Sequence, residues 1–118
     1  FKAFNDGFKK VNPDKDLNQP RIISVIQMLA KAMEAAGTDE PVAVATALEG
    51  MDFTNIYGRD VHMRASDHQL IQDVNIAVHT DKNIEVDADN SGYGLLTEKT
   101  IKEAGKDLPT SCEMKRPS

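Results

Sequence analysis

Leu17–Gly37, LNQPRIISVIQMLAKAMEAAG, is the longest strongly patterned stretch of the 118-residue chain, and the fold follows from how it is read. Pro20 suits a first helical turn, where its missing N–H would have had no partner anyway. From Ile22 onward apolar residues cover far more than one stripe, including Ile22, Ile23, Val25, Ile26, Met28, Leu29 and Met33. Such breadth predicts a helix packed on several sides rather than floated on a surface. Gly37 ends it, free to take the left-handed conformation that closes helices. Arg21, Gln27, Lys31 and Glu34 interrupt the run too often for a membrane span.

Composition sets the limits around that helix. A chain of this length has room for one domain, and 40% hydrophobic content supplies a real core. The formal charge of −5, with lysines and arginines scattered, argues against nucleic acid as the partner. No signal peptide or transmembrane run is present, and a chain opening on Phe1 reads as a piece of something longer. The lone Cys112 has no intrachain partner. It reads as a free thiol in the tail, the alternative being a partner cysteine elsewhere.

Upstream, Phe1, Phe4, Phe8 and Val11 recur at helical spacing, predicting a short amphipathic helix whose phenylalanines pack on the central one. Asn12–Gln19 is a polar loop. After Gly37, Thr38 is expected to cap a second helix with Pro41 in its first turn and Gly50 at its end, completing an αα-hairpin. Beyond Met51 the period changes to two. Asp60–Arg64 and Asp73–His79 alternate polar with apolar around a loop at Ala65–Gln69, which predicts a β-hairpin. A lone hairpin is marginal, and no upstream segment reads as a strand, so the hairpin is expected to lean on chain outside this sequence. Leu95–Ala104 reads as a short helix or an extended arm, and Leu108–Ser118 as an irregular tail.

This order of elements, carried by FKAFNDGFKKVNPDKDLNQPRIISVIQMLAKAMEAAGTDEPVAVATALEGM (1–51), by Gly58–Gln69 and by LPTSCEMKRP (108–117), resembles the C-terminal part of periplasmic substrate-binding proteins of branched-chain amino-acid ABC transporters. The resemblance covers nearly the whole chain; no single motif is diagnostic, but the ordered combination is specific. It implies an α/β fold, the C-terminal fragment of a two-lobed receptor that closes like a hinge. Residues 1–50 would belong to one lobe, 51–57 would cross the hinge, and 58–118 would join the other. It further implies a periplasmic location, an amino acid or related solute as ligand, an inner-membrane permease as partner, and a missing N-terminal part holding most of the pocket. Asn18 and Gln19 are then the nearest ligand-binding candidates, with Arg64 or Asp67 as weaker ones. Alone, such a fragment is expected to expose an apolar face on the central helix and to self-associate.

A rival reading rests on Asp87–Glu98. Asp87, Asp89, Ser91, the Tyr93 carbonyl and Glu98 fall at the ligand spacing of an EF-hand calcium loop, with Gly92 at the sharp turn. Gly94 stands where such loops carry a branched apolar residue, and the residues before the loop alternate like a strand. His62 and His79, on the polar face of the predicted hairpin, could approach each other as zinc ligands, though no third ligand converges. No nucleophile elbow or phosphate loop is present, so the chain does not read as an enzyme. A sensory domain that borrowed the receptor fold is a third reading.

Overall fold

A computed structural model describes residues 1–17, 20–84, 87 and 89–117. Among the described residues three helices, α1 (Lys2–Val11), α2 (Arg21–Ala36) and α3 (Pro41–Leu48), precede four strands, β1 (Asp52–Thr54), β2 (Asp60–Met63), β3 (Leu70–Thr80) and β4 (Gly94–Ala104). The strands pair in chain order, all antiparallel, as one meander. The molecule extends over 53 × 35 × 18 Å, with a radius of gyration of 17.3 Å. A compact chain of this length would give about 13.5 Å.

The central helix forms as its sequence predicts. Gly37 stands at φ 67°, its N–H reaching the carbonyls of Met33 and Glu34. Its packing departs from the burial on several sides that its composition predicts, and shows instead the exposed apolar face expected of the fragment alone. Only Met28 and Ala32 are buried; Ile22, Val25, Ile26, Leu29 and Met33 form an exposed stripe, Val25 at 61%. The helix is therefore packed along one side. The phenylalanine helix also departs from expectation: α1 buries no residue, and Phe1 meets Tyr57 of the β1–β2 turn at 5.3 Å between ring centroids. The cap of α3 is Glu40, whose carboxylate accepts from Ala43 N–H at 2.8 Å. Thr38 Oγ1 accepts instead from Glu40 N–H.

The hairpin does not depend on outside strands. β1 pairs with β2 through Asp52↔His62 and Thr54↔Asp60, and β4 runs along β3 from Thr80↔Gly94 to Gln72↔Ala104. Gly94–Ala104 is thus a full strand, the extended alternative, and not a helix. Its sequence is rich in helix formers, and cross-strand pairing overrides that propensity. Two irregularities bend it. Glu98 is left over between Ile76↔Lys99 and Ala77↔Thr97. Glu103, at φ 42°, bulges opposite Asp73, whose carboxylate accepts from Glu103 N–H at 3.0 Å and from Lys102 Nζ at 2.7 Å.

The core is small: Met28, Ala32 and Val44 from the helices, Val61 and Ile71 from the sheet. Specific bonds tie the two parts. Ile56 N–H donates to Ser24 Oγ at 2.9 Å, and Lys31 Nζ reaches the Asp52 carbonyl while lying over the Phe53 ring. Past Asp73 the β3–β4 ribbon leaves this core. Val74, Ile76, Val78, Leu96 and Ile101 share one ribbon face and remain exposed.

Candidate functional site

Polar chemistry concentrates where the β2–β3 turn meets the end of α3 and the C-terminal segment. Arg64, the residue after β2, organises it. Its Nε and Nη2 grip the two oxygens of Asp67 at 2.9 and 2.6 Å, and Nη2 also donates to Gln69 Oε1 at 2.7 Å. Nη1 donates to the carbonyls of Leu108 at 3.0 Å and Gly105 at 3.3 Å. All five guanidinium donors are engaged. The pair is well shielded, the Arg64 side chain 18% and the Asp67 side chain 8% exposed. The Arg64 hydrogen bonds hold the Asp67 carboxyl well below the usual carboxylate range, against a desolvation that pushes it up.

A second cluster sits alongside. Glu49, at the C-terminal end of α3, accepts from Arg116 Nε at 2.6 Å and lies 3.2 Å from His68 Nε2. Arg116 Nη2 also donates to the Ala65 carbonyl at 2.8 Å. The Arg116 hydrogen bond lowers the Glu49 carboxyl, with His68 adding to the effect. The tail read as irregular is therefore anchored, by Arg64 near its start and by Arg116 near its end. An apolar groove of about 260 Å³ between α2 and α3 lies nearby, lined by Leu29, Met33, Pro41, Val44 and Leu48.

The sequence candidates fall as follows. Asn18 and Gln19 lie outside the described residues. Arg64 and Asp67 neutralise each other, so neither keeps a free charge for a solute's carboxylate or ammonium. Asp87, Asp89, Ser91 and Tyr93 lie in the loop between β3 and β4, and Glu98 stands inside β4. The Asp87 carboxylate accepts from the N–H groups of Ser91 at 3.0 Å and Gly92 at 2.7 Å, while Ser91 Oγ accepts from Tyr93 N–H. Those oxygens hold a turn. An EF-hand loop is flanked by helices, whereas strands flank this one. Among the described residues, no three His, Cys, Asp or Glu side chains are placed to hold a metal. Calcium at millimolar concentration is thus expected to leave the melting temperature unchanged. A rise in differential scanning fluorimetry would restore the calcium reading.

The histidines do not converge. His62 pairs across from Ile71, and His79 follows eight residues further along β3. That is roughly 26 Å of strand. His62 Nδ1 lies 2.8 Å from Asp52 Oδ1, and His79 stacks on Tyr93. Sequence reading missed Glu49 and Arg116, since nothing local links residues so far apart; the Arg64–Asp67 spacing across a polar turn was the one available signal.

A helical hairpin joined to an antiparallel meander, tied by charge pairs at turn and tail, is a mixed helix-and-sheet architecture. The chain belongs to the periplasmic binding protein family, whose profile matches residues 1–83. This agrees with the resemblance carried by its sequence motifs. The family comprises solute-binding receptors rather than enzymes, and it works outside the cytoplasm. Among solved structures, the chain is similar to a leucine-, isoleucine-, valine-, threonine- and alanine-binding protein from Brucella ovis in its closed conformation. The TM-score is 0.76 and the identity 28%, over 98% of this chain and 31% of that one. The chain thus spans about a third of that protein's length. No curated protein matches.

Proposed function

We propose that these residues form the C-terminal part of the periplasmic receptor of an ABC importer for branched-chain or related amino acids. The observation that carries this reading is the similarity, over nearly the whole chain, to the Brucella ovis protein described as binding leucine, isoleucine, valine, threonine and alanine. In this reading the solute is captured between two lobes and handed to an inner-membrane permease. The closed form prevails because the solute gains contacts to both lobes only when they are shut. Residues 1–50 and 58–118 would sit on opposite sides of a hinge at 51–57. Asn18 and Gln19 remain candidates for touching the solute, with most of the pocket on preceding receptor sequence.

Isothermal titration calorimetry tests the proposal in two arms. The 118-residue chain alone is expected to give no heat with leucine, isoleucine or valine at micromolar concentration. A polypeptide that also carries the preceding receptor sequence is expected to bind one of them stoichiometrically. Binding by the short chain would move the pocket into these residues. Failure of the longer form with every small amino acid would overturn the receptor reading.

A further inference from the structure

The segment after β4 is held by side chains at two places of unequal strength: the Arg64–Asp67 pair, to which the Thr110 side chain also bonds, and Glu49. At Gly105 and Leu108 it is held by a guanidinium that is largely shielded from water and has all its donors occupied. At Arg116 the holding side chain is 50% exposed and grips a Glu49 that is 19% exposed. Water and salt compete more with the second anchor than with the first. Between the anchors, Met114 is half-buried, and a cavity of about 200 Å³ separates the tail from Val42 and Ala45 of α3. The last residues of the tail therefore share a groove with the helix.

The second anchor joins separate elements. Arg116 binds Glu49 at the end of α3 and Ala65 in the β2–β3 turn at once. His68 reaches from that turn to the same carboxylate. Glu49 is thus the point at which the turn and the tail both hold the helix. We propose that Gly105–Pro117 is a strap with a fixed end at Arg64 and a releasable catch at Glu49, the catch keeping α3 docked on the β2–β3 turn. Any motion of α3 away from the turn has to open the catch, while the Arg64 end stays closed. The strap rests on these contacts alone and does not depend on which solute the receptor takes.

Cys112, the sole cysteine and exposed, lies between the anchors and accepts a nitroxide label without further mutation. Its electron paramagnetic resonance line shape reads how firmly the strap is seated. Arg116→Gln and Glu49→Gln are each expected to raise the mobile population about two- to fivefold, the scale of one exposed ion pair. Molar salt should do the same to the unmutated chain. A label at Asp107→Cys in a Cys112→Ser background reports on the fixed end and should stay immobile under all three treatments. The proposal is overturned if the Cys112 label does not respond to substitution or salt. It is equally overturned if the label at 107 loosens with it, for the segment would then be one unit and not a strap with a catch.

Discussion

Sedimentation velocity of the 118-residue chain at tens of micromolar is expected to show species heavier than its 13.0 kDa, and Ile22→Lys with Ile26→Glu should return it to a monomer. The stripe of Ile22, Val25, Ile26, Leu29 and Met33 lies at helical spacing along α2 and is open to solvent. Each such side chain contributes about 1.5–3 kcal/mol on full burial, and about half of that is still to be gained here. Five of them give on the order of 4–7 kcal/mol for one stripe, and about twice that when two copies face each other about a two-fold axis. Association costs about 4–15 kcal/mol in lost freedom. The balance favours a weak, concentration-dependent dimer over an obligate one. A monomer at every concentration would mean that the stripe is not adhesive, and the same result only in a longer polypeptide would mean that preceding sequence covers it.

Arg64→Ala is expected to lower the melting temperature by roughly 5–10 °C, the range for a domain this small when one buried-side interaction network is broken. The substitution leaves the Asp67 carboxylate shielded and without its counter-charge, which costs more than the pair itself contributes. It also strips the Gly105 and Leu108 carbonyls of their donor. Arg64→Lys should rescue little, because a single ammonium cannot reproduce the planar fork. Arg64→Ala combined with Asp67→Ala should recover part of the loss, the pair being coupled.

The pH dependence has a definite sign. Asp67 is lowered in the folded state, so its contribution is fully present above the unfolded value of about 4 and is lost as pH falls below it. Melting between pH 5 and 2.5 should therefore decline more steeply for the unmutated chain than for Arg64→Ala. Parallel slopes, or a melting temperature unmoved by Arg64→Ala, would remove Arg64 from the stability of this region.

Much of the fold could be read locally. Gly37 ended α2 through its left-handed conformation, and the alternation of Asp60–Arg64 and Asp73–His79 placed β2 and β3. Motif order pointed to the family. By contrast, Asp52–Thr54 is too short to show a period, and Gly94–Ala104 carries leucines, lysines and glutamates that suit a helix equally well. Both became strands because a neighbour offered its backbone groups, a choice that no window of local sequence contains. The candidate site was less legible than the fold. Of its anchors, Arg64 and Asp67 stood out as polar residues at a turn, but as solute contacts rather than as each other's partners.

Helix boundaries, turn positions and the spacing of apolar residues followed from local chemistry, since capping, φ preference and periodicity act over a few neighbours. Which apolar faces are buried, which strands extend the hairpin, and that Glu49 meets Arg116 across 67 residues followed from tertiary structure. Those contacts join segments that only the folded backbone brings together, and the closure of so long a loop leaves no trace in the pattern of either end.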